Sequence, residues 1–417
     1  MDEIRRQLEI FRRGCAEILP GEKALIERLE AGRPLRIKLG VDPTISDLHL
    51  GHTVVLRKLE QLQELGHEID FVIGSFTARI GDPTGRSRTR PHLTEEEVRR
   101  YAETYQAQAF RILDRERTKV FHNAEWFDPM TFSDVIGLAS RVTVARIIER
   151  EDFAKRLSEG RPIHLHELLY PLLQAYDSVA LRSDVEIGGT DQRFNILAGR
   201  DLQESFGQPP QIVLLLPLLV GTDGTRKMSK SYDNYIGITE PPLEIYSKTM
   251  SIPDEIMLSW FELLTDLPIA RLTEIKEGLA DGSLHPKAAK KLLARTLVAQ
   301  YHDETQAKTA QESWEQLHEP GGSRGTAPLE IPEVEIPYPT GEGGKLWVVE
   351  FIDRLRFTTR KGDPISRSEI RRLIQQKGLT IDGVPVEKIS AMVEPYDGMI
   401  VSKGNKQFRR VRLPEGG

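Results

Sequence analysis

Two short stretches, far apart in the chain, hold side chains suited to handling phosphate. The first is "HLGH", where His49 and His52 stand three apart with Gly51 between them. Two imidazoles at this spacing can share a helix face and bind a metal, but His49 precedes the expected helix start and only Asp47 is near as a further ligand. They can also cap and pack a helix entrance. A third reading is anion binding: a helix N-terminus offers unpaired N–H groups and partial positive charge, histidine adds directional N–H donors, and Gly51 leaves the approach open. The second stretch is "KMSKS", Lys227 to Ser231, flanked upstream by Gly221 and Gly224. Alone it is a charged surface loop. Paired with the histidines, Lys227 and Lys230 become ammoniums that can close over a polyphosphate and stabilise charge developing late in a reaction. A third stretch, "GGTDQ" (188–192), is a double glycine turn followed by a carboxylate, Asp191.

The elements around these motifs alternate. "RIKLGV" (36–41) has the apolar character of a buried strand. Val55, Leu59 and Leu62 then recur at helical spacing up to Gly66, and "IDFVIG" (69–74) is the next strand. Strand, helix, strand over about forty residues is a βαβ unit and implies a parallel sheet. Thr94 and Glu97 form a capping-box signal for a helix running to about Leu113. "KVFHNAEWF" is strand-like, and helices are expected near 133–149 and 164–177. "DVEIGGTDQRFNILAGRDLQ" is a further strand, turn and helix, and "PQIVLLLPLLVG" a further buried strand. From Pro253 to His318 the periodicity is mostly helical. Residues 320–344 hold 5 Pro and 6 Gly in 25 positions and are expected to form a linker.

Composition narrows the class. The 417 residues suit two or three domains, with 39% hydrophobic and 29% charged residues. No apolar run reaches the length of a membrane span, and the N-terminal "MDEIRRQLEIFRRG" has no targeting character. Cys15 is the one cysteine, which excludes a disulfide within the chain or a cysteine-based zinc site. A reducing cytoplasm fits. The net charge of −6 is uneven: Lys345 to Gly417 contains 15 Lys and Arg against 9 Asp and Glu, leaving 42 against 54 in the remainder. A basic tail on an acidic body points to a polyanionic partner.

Taken together, "HLGH" and "KMSKS" resemble the two signatures of class I aminoacyl-tRNA synthetases. "DPT" (42–44), "IGDPTGR" (80–86), "YPLLQAYD" (170–177) and "GGTDQ" extend the likeness to the bacterial tyrosyl-tRNA synthetase family, over most of residues 30–240 and the tail. The resemblance implies a Rossmann-like, doubly wound α/β fold over 1–240. It also implies a helical insertion at about 90–180 that forms a homodimer interface, a helical domain at 241–319, the linker at 320–344, and a small α+β RNA-binding domain at 345–417 of the kind first known from a small-subunit ribosomal protein. It implies tyrosine–tRNA ligation. Tyrosine and ATP, carried as its magnesium complex, give an adenylate and pyrophosphate, and the tyrosyl group passes to tRNA(Tyr). No prosthetic group and no protein metal site are expected, since magnesium is held mainly by phosphates.

By the same resemblance His49, His52, Lys227, Lys230 and Thr44 are catalytic, acting by position and charge rather than covalently. Gly51, Gly188, Gly189, Asp191, Met228 and Ser229 meet ATP, with Asp191 accepting from ribose hydroxyls. Asp42, Asp82, Tyr170, Gln174, Asp177 and Gln192 surround tyrosine, its ammonium facing Asp82, Tyr170 and Gln174, its carboxylate Gln192 and its phenol Asp177. A buried carboxylate left unpaired is costly, so phenylalanine would be rejected; the family itself is a standard illustration of that logic. One position departs from the common pattern: where many members place a tyrosine against the substrate phenol, "IKLGVD" places Lys38, either a member of a subgroup with a different second phenol partner or an ordinary surface residue.

In the tail, Ser366 is expected to cap a helix bearing Arg367, Arg371 and Arg372, with Ile370 and Leu373 inward and Gly378 at its end. "LTIDGVPV" is two short strands across an Asp-Gly turn. A further strand pair carries Lys403, Lys406, Arg409 and Arg410, and these cations are expected to meet RNA phosphates. The alternatives are a tryptophanyl-tRNA synthetase, a small nucleotidyltransferase with an "HxGH" motif, and a synthetase-derived RNA-binding protein without catalysis.

Overall fold

Alternation of apolar strands and amphipathic helices produces the expected parallel sheet. The computed structural model describes residues 2–43, 47–81, 94–318, 331–337, 345–359, 363–382, 384–404 and 407–414. Six strands, β1 (Glu17–Leu19), β2 (Arg36–Val41), β3 (Glu68–Ile73), β4 (Thr118–His122), β5 (Val185–Gly189) and β6 (Ile212–Leu216), lie in the order β1-β6-β5-β2-β3-β4. All neighbours are parallel except β1, which runs antiparallel along β6. From β2 the chain winds outward to β3 and β4; from β5 it winds the other way to β6. The crevice at the carboxyl ends of β2 and β5 is therefore a topological switch point, where such sheets bind ligands. "HLGH" follows β2, and "GGTDQ" begins at the end of β5.

The helix Leu50–Glu64 crosses between β2 and β3, burying Leu50, Val54, Leu56, Leu59 and Leu62, and Gly66 at φ 93° turns the chain away from it. The capping box of the Glu95–Ala109 helix forms as expected: the Glu97 N–H donates to Thr94 Oγ1 at 3.2 Å, and the Thr94 N–H donates to Glu97 Oε2 at 2.9 Å. The expected insertion at 90–180 is not one helical block. β4 lies within it and pairs along all of its length with β3, because "TKVFH" supplies a strand long enough to extend the sheet. The helices Phe132–Ala139, Val144–Ile148, Glu151–Ser158 and Leu165–Leu181 follow it.

The chain separates into two compact units, 1–303 and 304–417. The expected helical domain at 241–319 is thus divided. The helices Pro242–Met250, Asp254–Leu264, Ile269–Asp281 and Pro286–Tyr301 belong to the first unit, and Glu304–His318 to the second. The four helices of the first unit pack on one another, Pro242–Met250 most closely on Pro286–Tyr301, and also reach the α/β body. Trp260 is fully buried and donates through Nε1 to the Val220 carbonyl at 3.0 Å, and the Tyr301 hydroxyl donates to Thr53 Oγ1 at 3.0 Å.

In the second unit β7 (Glu333–Glu335), β8 (Leu346–Trp347), β9 (Leu379–Ile381), β10 (Val384–Pro385), β11 (Met392–Val393), β12 (Ile400–Lys403) and β13 (Gln407–Arg412) form a five-stranded sheet, β10-β9-β12-β13-β7, and a β8–β11 pair. β7 falls inside the expected linker. It is a parallel edge strand on β13, a place that tolerates the surrounding prolines because one side of its ladder is unused. The core holds Phe351, Phe357, Ile370, Ile374, Leu379 and Val401. The helix Arg367–Gln375 is capped by Ser366, whose Oγ accepts from the Glu369 N–H at 3.3 Å. Its left-handed exit residue is Lys377, at φ 54°, rather than Gly378. Gly378 instead sits hard against Leu373.

Leu59→Ala tests the packing of the Leu50–Glu64 helix: the fully buried side chain should cost about 3 kcal/mol, read as a loss of denaturation midpoint with little change in denaturant slope.

Candidate active site

His49 is the N-cap of the Leu50–Glu64 helix, and the cap is made of imidazoles. Its Nδ1 accepts from the Gly51 N–H at 3.1 Å, while the His49 N–H donates to His52 Nδ1 at 3.2 Å. Both Nδ1 atoms are acceptors, so each neutral ring carries its proton on Nε2, a donor not used in the cap. Burial, His52 and the nearby Lys230 charge hold His49 far below the usual imidazole range. Burial and Lys230 bring His52 down to about 4. Both rings are therefore neutral donors near neutral pH, tilted 43° to one another with centroids 3.9 Å apart. Gly51 has a more local reason than ligand access. A Cβ there would lie 2.9 Å from the His49 ring and 3.5 Å from Met228 Cβ, so glycine makes room for the cap and for the second motif.

That second motif does arrive. Residues 219–234 fold as a turn-back in which the Met228 N–H donates to the Leu219 carbonyl at 2.7 Å. Asn234, buried, accepts from the Ser229 N–H at 2.8 Å and donates to the Lys227 carbonyl at 3.1 Å. Gly221 is needed because Asn234 occupies the space of its Cβ, and Gly224 adopts φ 74° against Pro253; neither marks looseness. Just beyond, a short antiparallel bridge joins the two motifs. The Leu50 N–H donates to the Ile236 carbonyl at 2.9 Å, and the Ile238 N–H to the Leu48 carbonyl at 3.2 Å. Lys230 Nζ donates to Asp47 Oδ2 at 2.8 Å, and Lys227 Nζ to Asp191 Oδ2 at 3.1 Å. Tyr235 lies beside the group, 6.2 Å from His49 and 5.8 Å from Lys230 Nζ. The imidazoles, the ammoniums and the "GGTDQ" carboxylate thus meet at one crevice.

At "GGTDQ" the glycines serve packing as well as access. A Cβ on Gly188 would strike Ile196, and one on Gly189 would strike Asp191 and Leu218. Gln192 Oε1 accepts from Asn195 Nδ2 at 3.0 Å.

A second cluster lies along the Leu165–Leu181 helix, which carries Tyr170, Gln174 and Asp177. The Tyr170 hydroxyl donates to Asp42 Oδ2 at 2.9 Å, and the Thr77 hydroxyl to Asp42 Oδ1 at 2.7 Å. Gln174 Oε1 is buried with no hydrogen-bond partner among the described residues. Asp177 is buried and accepts from Trp126 Nε1 at 2.9 Å and Asn123 Nδ2 at 3.5 Å. Burial pushes its carboxyl up to about 7, against the opposing pull of Lys38 and Trp126. Lys38 is not a surface residue: it is fully buried and paired with Glu186 at 3.0 Å. Thr44 and Asp82 lie outside the described residues, as does Lys406 in the tail.

In the tail unit Arg367 donates to Asp353 at 2.8 Å and Arg372 to Glu369 at 2.6 Å. Arg371 lies over the Trp347 ring at 5.5 Å and Arg409 over Phe357 at 5.4 Å. Lys403 donates to the Thr358 carbonyl. Sequence patterns gave no warning of Asn123, Trp126, Glu186 or Tyr235, which reach the clusters only through tertiary packing. Asp47 stood beside the histidines but as a metal candidate. Among the described residues no cluster of three or more metal-ligating side chains occurs, and no helix is long and apolar enough to cross a membrane.

Comparison with known proteins shows the family. The profile of the tRNA synthetases class I (W and Y) matches residues 30–319. The chain belongs to this class I tRNA synthetase family. A tyrosine--tRNA ligase of Moorella thermoacetica is 49% identical over 412 residues, 98% of this chain and 96% of that protein. One of Aquifex aeolicus is 49% identical over 97% of this chain and 98% of its own length. Among solved structures, a tyrosyl-tRNA synthetase of Archaeoglobus fulgidus complexed with L-tyrosine superposes with a TM-score of 0.62 at 26% identity, covering 74% of this synthetase and 99% of the other chain.

Asp177 gives a test of the site's electrostatics. A carboxyl whose folded pKa is raised makes the free synthetase less stable as pH rises from the unfolded value near 4 through about 7. Asp177→Asn should therefore raise the melting temperature of the ligand-free protein at pH 8 and flatten its dependence between pH 5 and 8. Differential scanning calorimetry at both pH values measures this.

Proposed function

We infer that this synthetase is a tyrosine--tRNA ligase, joining tyrosine to ATP as an adenylate and then to tRNA(Tyr). The observation that carries the reading is the meeting of four donors at one crevice. His49 and His52 present neutral Nε2–H groups at a helix N-terminus, and Lys227 and Lys230 are held beside them by Asp191 and Asp47. Near-full-length identity to tyrosine--tRNA ligases supports the same substrate.

The chemistry follows from charge. Attack of the tyrosine carboxylate on the α-phosphate forms an acyl–phosphate bond and breaks the bond to pyrophosphate, while negative charge spreads over the phosphate oxygens. Preorganised donors that need no reorganisation stabilise that charge most effectively. The two Nε2–H groups, set at the positive end of a helix, are such donors, and Lys227 and Lys230 neutralise the departing pyrophosphate. ATP enters as its magnesium complex, with Gly51, Met228 and Ser229 forming the floor. Asp191 accepts from the ribose, and Gly188 and Gly189 keep the backbone near the adenosine. Tyrosine lies against the second cluster: its ammonium faces Tyr170, Gln174 and Asp42, its carboxylate Gln192, and its phenol Asp177. The unsatisfied Gln174 oxygen and the buried Asp177 carboxylate both call for a donor, and the tyrosine ammonium and phenol are donors. In the tail, Arg367, Arg371, Arg372, Lys403 and Arg409 meet tRNA phosphates, which the basic balance of 345–417 supports. The protein works as a homodimer through the segment 132–165, whose Phe132, Val144 and Leu165 are 80%, 62% and 76% exposed, an apolar face that a second copy would cover.

Tyrosine-dependent exchange of pyrophosphate into ATP is the deciding experiment; dependence on tryptophan instead would overturn the assignment. His52→Asn, which keeps a cap acceptor, and Lys230→Met should each slow adenylate formation about 10²-fold in stopped-flow records, with tyrosine affinity little changed.

Phe132→Asp should convert the protein to a monomer in sedimentation velocity runs. A wild-type protein already monomeric at micromolar concentration would dismiss the dimer.

A further inference from the structure

Lys38 and Glu186 stand directly opposite one another on the parallel strands β2 and β5, beneath the Leu165–Leu181 helix. The Lys38 ammonium has three protons, and each has an acceptor: Glu186 Oε1 at 3.0 Å, Ser178 Oγ at 2.7 Å and the Gln174 carbonyl at 3.1 Å. Ser178 donates onward to Glu186 Oε2 at 2.8 Å, where Gln211 Nε2 also donates. Gln203 Nε2 ties the Ser178 carbonyl to the same network at 3.1 Å. An ammonium with every proton engaged has none for a substrate. Its acceptors, however, bracket Asp177: one lies three residues before it and one immediately after.

We propose that Lys38, through its ion pair with Glu186, is a positioning and specificity-determining residue of the amino-acid site, locking the Gln174–Ser178 turn and keeping Asp177 an acceptor for the substrate phenol. This rests on the reading that Asp177 meets that phenol. Two charged groups act on Asp177 from the sheet: Lys38 favours its anion, and Glu186 opposes it. From the other side, among the described residues, come neutral donors, Trp126 and Asn123, and Asn123 also donates to Thr77 at 3.0 Å. Asp42, linked to that network through Thr77, accepts from Thr77 and Tyr170. Protonated, Asp177 would lose its charge-assisted bond to the phenol, which is roughly twice as strong as a neutral one, and phenylalanine would be excluded less well.

The experiment follows tyrosine-dependent pyrophosphate exchange by the full-length protein from pH 5.5 to 9, in wild type, Lys38→Met, Glu186→Gln and the double variant. Lys38→Met should move the pKa governing tyrosine kcat/KM up by roughly one unit, and Glu186→Gln should move it down. At pH 7, Lys38→Met should lower the tyrosine-over-phenylalanine ratio about tenfold. A role in folding alone would weaken both variants without opposite displacements, so an unmoved pKa, or one moved the same way in both, overturns the proposal. Should Lys38→Met fail to fold, Glu186→Gln and the double variant differ by Lys38 alone, and the double variant should titrate higher; equal profiles overturn the proposal. Asp177→Asn separates the two readings. Retention of the titration and of discrimination in that variant defeats the phenol assignment itself. Their loss, with coincident Lys38→Met and Glu186→Gln profiles, defeats only the role of Lys38.

Discussion

The site depends on two backbone hydrogen bonds. Leu50 to Ile236 and Ile238 to Leu48 sew the start of one helix to a segment almost two hundred residues later. Backbone pairing fixes register as well as proximity, so the cap histidines and the lysine loop cannot slide independently. Everything else at the crevice refines this seam. Asn234 shapes the loop that precedes it, Met228 packs against Gly51, and the carboxylates Asp47 and Asp191 set where the ammoniums rest.

The histidine cap answers a question of chemistry with one of structure. An N-cap normally uses a serine, threonine or aspartate oxygen. Here the acceptors are ring nitrogens, and using Nδ1 to close the helix leaves Nε2–H on each ring as a donor of fixed direction. Burial keeps the rings neutral, so they bring dipoles rather than charge, and cationic charge comes from the lysines. A related division holds in the second cluster, where burial acts on Asp177 and the charges of Lys38 and Glu186 act on it from the sheet in opposite senses.

Much of this was legible in the chain. The βαβ alternation placed "HLGH" after β2 and "GGTDQ" at the end of β5, and the Thr94 capping box and Ser366 cap formed as read. The misreadings have physical causes. Strand β4 is not among them: it falls where "KVFHNAEWF" is strand-like, inside the span that the resemblance gives to the insertion. The helices of 241–301 do pack on one another, but Trp260 and Tyr301 also reach the α/β body, an attachment their amphipathic pattern does not reveal. β7 persists among prolines because an edge strand needs one ladder only. Gly51 and Gly188 also serve packing, since a Cβ on either would meet His49 or Ile196, contacts that lie outside any local pattern. Lys38 shows the limit most plainly: a lysine between apolar residues gives no sign, in one dimension, of the glutamate 148 positions away that lets it be buried.

The ion pairs Lys230–Asp47 and Lys227–Asp191 carry one further consequence. The crevice meets an arriving polyanion with its cations already occupied. Entry is then an exchange of partners, in which each phosphate oxygen gained by a lysine releases a carboxylate. Affinity becomes a difference between two attractions, both weakened by added electrolyte, so it should respond to ionic strength less steeply than two bare ammoniums would allow. The displaced Asp191 is at that moment set free to accept from whatever hydroxyl accompanies the phosphate.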